Sequence, residues 1–179
     1  MNDDPSKDTG PSDENSPRLL NALFNGPGDV VILSADNIEF HLYQKYLEYG
    51  AKGFPPAGTP TDPNDLPRLP ESSEILEVLF QFMYPQHYPS LSGLEFEKLM
   101  LLAQAAEKYE VFALRNACQF QLRLKFIHKD PKRLLEFAVQ HNHRDLIIEL
   151  APILVETTLS ELEGIYRFPS TKLGYVASC

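Results

Sequence analysis

Apolar residues run almost unbroken from Ile75 to Tyr84 (ILEVLFQFMY), and only Glu77 and Gln81 interrupt them with strongly polar side chains. Four residues apart, these two share one line of a helix and leave a narrow polar stripe on an otherwise apolar cylinder. A helix with so little polar surface must be covered on several sides. Glu71, Ser72 and Ser73 are residues that start helices, and Pro85 can neither donate to a continued ladder nor leave Tyr84 in helical geometry. A strand can be written through the same ten residues, but the length, the polar spacing and the starting residues favour the helix. The segment is therefore expected to be the central helix of a compact domain.

The same reading places the other elements around it. Leu19, Leu20, Leu23 and Phe24 fall at helical spacing, which predicts a short docked helix from Arg18 to Phe24, broken by Asn25-Gly26-Pro27-Gly28. The β-branched run Val30 to Leu33 predicts a buried strand. Ala35-Asp36-Asn37 reads as a turn and Ile38 to Phe40 as a second, alternating strand. Leu42, Tyr43, Tyr46 and Leu47 give a helix over His41 to Tyr49, with His41 capping it or bonding to backbone. Phe54 to Pro70 holds six of the fifteen prolines and reads as a loop, ending in a short edge strand at Leu66 to Leu69.

Beyond the central helix, Gln86 to Gly93 reads as a polar connection, and from Leu94 the period is helical until the signal fades past Thr158. Leu94 to Tyr109 turns Leu99, Leu102, Ala103 and Ala106 inward, and Glu110 to Ile127 buries Leu114, Ala117, Cys118 and Leu122. Asp130-Pro131 is an N-cap followed by proline at the first helical position, opening a helix on Leu134, Leu135 and Ala138. Asn142 is expected to cap a last helix, with Leu146, Ile147, Leu150 and Leu154 inside and a kink at Pro152. The fold class is α+β, a small sheet against a mostly helical body.

Composition narrows the function. The net charge of −9 disfavours general affinity for nucleic acid or anionic membrane, and no apolar run approaches the roughly 20 residues that span a bilayer. Met1 to Pro17, with five acids, one lysine, three prolines and no aromatic, is expected to be a disordered acidic tail. It has no basic and apolar signal sequence. Cys118 and Cys179 do not form a disulfide framework, which points to a reducing, intracellular compartment, cytoplasm or nucleus.

Several residues resemble the BTB (POZ) domain in order along the chain. Gly28-Asp29-Val30-Val31-Ile32-Leu33 matches its Asp-Val strand. Phe40-His41 and Leu47 match the start of the helix that follows. Phe82-Met83-Tyr84-Pro85 is similar to the end of its leucine-rich helix, and Leu101 to Cys118, with Lys108-Tyr109-Glu110-Val111, to its final helical pair. The small BTB proteins expanded in mushroom-forming fungi share the run Gly53-Phe54-Pro55-Pro56. The likeness covers roughly Leu19 to Lys125.

The resemblance implies a BTB/POZ-like domain over residues 18–127. Residues 128–179 would form a helical extension, a partial version of the one often found behind BTB domains, and a C-terminal tail. It further implies a protein–protein interaction module with no enzyme activity and no cofactor. Such a module self-associates or binds another protein through its N-terminal helix and sheet surface, here Leu19, Leu20, Leu23 and Phe24. The competing reading is that this helix packs on its own core. The exchanged N-terminal strand of the larger subfamilies has no counterpart in Met1 to Pro17. A second role in the family is substrate adaptor for a cullin-type ubiquitin ligase, but Tyr49 to Pro70 contains no glutamate for the hydrophobic-x-Glu motif that such adaptors often carry.

Candidate chemistry is sparse. His141 and His143, with His128 and Asp145 nearby, suggest a metal site, but residues two apart on a helix point to different faces. Cys118 lies on an apolar helix face, where a cysteine behaves as a small hydrophobe. Arg115, Arg123, Lys125, Lys129, Lys132 and Arg133, with Phe120 and Phe126 between them, form the basic run. The overall acidity makes it a solvated face or a contact for an acidic partner such as the N-terminal tail. No nucleophile elbow or phosphate loop is present, which leaves an enzyme with no recognisable motif as the reading of another class.

Overall fold

The computed structural model describes residues 18–54 and 66–155. The expected acidic tail, most of the proline-rich loop and Cys179 lie outside the described residues. Three strands, β1 (Leu19–Leu20), β2 (Val30–Leu33) and β3 (Ile38–Leu42), are followed by six helices. These are α1 (Gln44–Gly50), α2 (Ser73–Gln81), α3 (Phe96–Lys108), α4 (Phe112–Phe126), α5 (Pro131–Gln140) and α6 (Arg144–Leu154). The fold is α+β. The described residues divide into two compact units, one drawn from 18–90 and 104–115 and the other from 91–103 and 116–155, so that α3 and α4 each contribute to both.

In the first unit the sheet order is β1-β3-β2, with β2 antiparallel and β1 parallel to β3. The hairpin turns where the sequence places it. Ser34 holds it, its N–H donating to the Ile38 carbonyl and its Oγ accepting from the Ile38 N–H. The expected edge strand near Leu66 to Leu69 is reduced to one parallel bridge between Leu33 and Arg68. Pro67 and Pro70 supply no N–H to extend it.

The region expected as a first helix is not one. Leu19 and Leu20 form a parallel strand beside Ile38 and Glu39. Asn21 Oδ1 then accepts from the N–H groups of Leu23 and Phe24 at 2.9 and 3.0 Å. An asparagine that captures the N–H groups just ahead of it competes directly with helix hydrogen bonding. The neighbouring strand offers partners that a seven-residue helix lacks.

His41 likewise belongs to β3, opposite Val31, and not to a helix start. Helix α1, only seven residues long, is opened by groups distant in sequence. Gln44 N–H donates to Asp29 Oδ1 (2.6 Å) and Tyr43 N–H to the Tyr84 hydroxyl (2.8 Å).

The central helix is found as α2, with Ile75, Leu76, Leu79 and Phe80 buried. Its cap comes from elsewhere than the sequence suggests. Ser72 occupies the N-cap position without a side-chain capping bond, while the Asp36 carboxylate accepts from both the N–H (2.8 Å) and the hydroxyl (2.6 Å) of Ser73. Burial works to raise the Asp36 pKa, but the hydrogen bonds from Ser73 and Ser34 outweigh it and hold the carboxyl below its ordinary value. Around Phe80 gather Phe24 and Phe40, the three ring centroids 5.2 to 6.0 Å apart in tilted and edge-on contacts.

Two glycines are fixed by close approach. A Cβ on Gly28 would stand 2.5 Å from the Leu42 nitrogen, and one on Gly53 would stand 2.7 Å from Tyr109 Cα. Gly53 N–H donates to the Tyr109 carbonyl (3.1 Å), Phe54 stacks on the Tyr109 ring (4.8 Å), and the Tyr109 hydroxyl donates to Glu71 (2.7 Å). Burial first, and then the hydrogen bond and charge of Glu71, push the Tyr109 phenol well above its ordinary range.

Helix α3 closes with Glu110 in the left-handed region (φ 53°). The Glu110 N–H donates to the Glu107 carbonyl (3.2 Å) and the Val111 N–H to the Ala106 carbonyl (2.9 Å). A side chain at that φ is strained, so Glu110→Gly is expected to stabilise the protein by about 0.5–1 kcal/mol. That corresponds to a rise of about 1–4 °C in Tm, and a lower Tm in a thermal melt would contradict this helix ending.

In the second unit Leu99, Leu102 and Ala103 of α3 and Cys118 and Leu122 of α4 are buried as their spacing predicts, while Ala117 is half-buried. Phe96 packs on Phe126 (5.1 Å). Asp130 caps α5 through the Arg133 N–H (3.3 Å), with Pro131 at its first position. Helix α6 buries Leu146, Leu150 and Leu154 and continues past Pro152. Asn142 does not cap it. His143 holds that position, and Asn142 sits at φ 56°, where its own N–H and that of His143 close the end of α5 on the Val139 and Ala138 carbonyls.

Candidate interaction surfaces

The four residues expected at a partner interface separate. Leu19, Leu20 and Leu23 are 62%, 50% and 60% exposed, while Phe24 is only 6% exposed and belongs to the ring cluster of its own core. Phe24 is thereby removed from the candidate surface. What positions the leucines is Asn21, a residue the periodicity passes over. Its Oδ1 holds the turn and its Nδ2 donates to Glu77 of α2 (2.8 Å), so the polar stripe on the central helix has a specific structural use.

Among the described residues, strand β1 is at an edge of the sheet. The N–H groups of Leu19 and Asn21 bond to the Asn37 and Glu39 carbonyls (3.2 and 2.9 Å). The peptide groups of Leu20 therefore face away from β3 by the alternation of a strand. An edge with outward-facing peptide groups and exposed aliphatic side chains is a template for a further strand or an apolar partner.

A second surface lies on the same unit. A groove of about 690 Å³ is formed by one face of α1, the turn after α2 and the first residues of α4. Tyr46, Tyr49, Phe82, Tyr84, Tyr88 and Phe112 supply its rings. Tyr46 packs on Tyr84 (4.6 Å) and Phe82 stacks on Tyr88 (4.4 Å), so the rings are mutually braced. Sequence periodicity offered no sign of this groove, because its residues come from three separated stretches. A surplus of tyrosine near helix ends was the available signal.

The remaining candidates have structural partners. Arg115 pairs with Glu107 (2.8 Å), Arg123 with Glu149 (3.3 Å), and Arg133 with both oxygens of Glu97 and with Asp130 (3.8 Å). Lys125 donates to the Ser92 carbonyl, and the Lys129 ammonium stands 5.3 Å over Phe126. Most of the basic run is thus engaged within the fold, and the hydrogen bond from Arg133 holds the Glu97 carboxyl below its ordinary pKa.

His141 and His143 pack at a tilt against Phe137 (4.8 and 5.4 Å), with the Gln119 amide 3.1 Å from His143 Nδ1. Among the described residues no group of three or more His, Cys, Asp or Glu is placed to hold a metal ion, and no helix is long and apolar enough to cross a membrane. Cys118 is fully buried. In comparisons with known proteins, the chain matches no family model and no curated protein.

Proposed function

We propose that this chain is a protein–protein interaction module of BTB (POZ) type that associates with a second copy of itself through the leucine edge at β1. The observation that carries the reading is the split within residues 19–24. Asn21 and Phe24 are anchored, and this holds Leu19, Leu20 and Leu23 out in solvent, where three large aliphatic side chains gain by being covered. The parallel edge adds outward peptide groups beside them. Some of the residues that carry the BTB resemblance support the reading in a second way, since they are joints of the fold. Gly28 admits the Leu42 backbone, Asp29 and Tyr84 open α1, and Tyr109 ties Gly53 to Glu71. The module works by burying apolar surface, and no chemical step is assigned to it.

Light scattering over a dilution series tests this on the wild type and on Leu20→Asp/Leu23→Asp. The expected results are a wild-type dimer and a folded, monomeric double mutant whose melting temperature matches that of the wild type diluted until it too is monomeric. A wild-type monomer at every concentration, or a double mutant that still dimerises, removes self-association at this edge.

A further inference from the structure

The groove beside α1 is separate from the leucine edge and has its own chemistry. Six of its lining residues are aromatic, and Tyr49 is 91% exposed although it stands over the groove wall. Tyr88 and Phe112 are also about half exposed, so within the described residues these rings are presented to solvent. With centroids 4.4 and 4.6 Å apart, the pairs Phe82–Tyr88 and Tyr46–Tyr84 are in contact, so what they offer a partner is the outer faces of their exposed rings. Such surfaces accept a stiff, flat apolar group better than a bulky helix face, which needs deep aliphatic pockets.

The charge is equally specific. The chain carries a net −9, yet among the described residues that line the groove none is acidic. Lys45 lies at its wall with the ammonium 4.7 Å over the Tyr46 ring and 5.3 Å over Tyr43, and Lys52 stands 5.6 Å over Phe112. Two cations therefore sit on the aromatic rims, held by the rings they cover.

We infer that this groove binds a partner's proline-rich segment in the extended polyproline II form, with acidic residues flanking the prolines. Pyrrolidine rings pack on the outer faces of the exposed rings of Tyr49, Tyr88 and Phe112. The carbonyls of such a helix have no internal hydrogen bonds and accept from the hydroxyls of Tyr46, Tyr49 and Tyr88. The flanking carboxylates meet Lys45 and Lys52. Because the segment is already extended, little entropy is lost when it binds, which suits a shallow groove.

The test is calorimetric titration of the full chain with a blocked hexaproline peptide carrying two glutamates at each end. Two control peptides have the prolines replaced by alanine, or the glutamates replaced by lysine. Saturable one-to-one binding is expected, weakened about tenfold or more by either replacement. Tyr49→Ala should lower affinity about tenfold without moving the melting temperature, because the ring is almost wholly exposed, and Lys45→Glu should invert the preference between glutamate and lysine flanks. Equal binding of the alanine peptide, or an unaltered affinity in Tyr49→Ala, overturns the inference. So does the absence of saturation up to about 1 mM, the result expected if residues 1–17 of this chain or a second copy fill the groove.

Discussion

Leu79→Asp is expected to abolish cooperative unfolding at 25 °C, leaving a chain that is unfolded or aggregated as made. Leu79 is wholly buried at the centre of α2, in a helix whose neighbours Leu76 and Phe80 are equally inaccessible. Removing the leucine forfeits about 2–5 kcal/mol of burial and packing. The carboxylate adds the penalty of an ion with no partner, or of a shifted pKa that keeps it neutral. Together these exceed about 5 kcal/mol, the lower end of the stability of an ordinary domain. Circular dichroism during heating reads the outcome. A soluble variant with a sharp transition near the wild-type temperature would show that α2 is not the core helix.

Phe24→Ala comes second in size and separates the two accounts of residues 18–24. Phe24 touches Phe40, Phe80 and Tyr84 at centroid distances of 6.0, 5.9 and 5.3 Å. Truncating it opens a cavity among rings that cannot all move, at a cost of about 3–5 kcal/mol. Leu23→Ala, one residue earlier, should change stability by no more than about 0.5 kcal/mol, because its side chain stands in solvent. Urea denaturation of both variants at a concentration where the protein is monomeric gives the comparison. Similar small losses at both positions would put Phe24 outside the core and restore all four apolar residues to one exposed face.

The cavity cost also explains why the interface experiment uses Leu20 and Leu23 and leaves Phe24 alone. A charge at Phe24 would unfold the domain and imitate the loss of a dimer. Charges at the two exposed leucines alter association without entering the core.

The elements that were legible from the chain are those whose signal is local. The apolar run of α2, the β-branched run of β2, the turn at Ala35 to Asn37 and the Asp130-Pro131 start of α5 all place their own residues, because periodicity, turn chemistry and capping act over a few positions. The burial of Leu99, Leu102, Leu114, Cys118 and Leu122 follows from spacing alone.

What only the tertiary structure decided are the contacts made across long separations. Residues 19–24 have helical spacing, yet β3 supplies hydrogen bonds to Leu19 and Asn21, and the Asn21 side chain takes the N–H groups a helix would need. Asp36 caps a helix thirty-seven residues away, and Tyr84 opens one forty-one residues before it. The aromatic groove gathers α1, the turn after α2 and the start of α4. Local pattern determines which face of an element is apolar. Which distant group then completes its backbone bonds, and which apolar side chains are left over in solvent, is settled only when the elements pack.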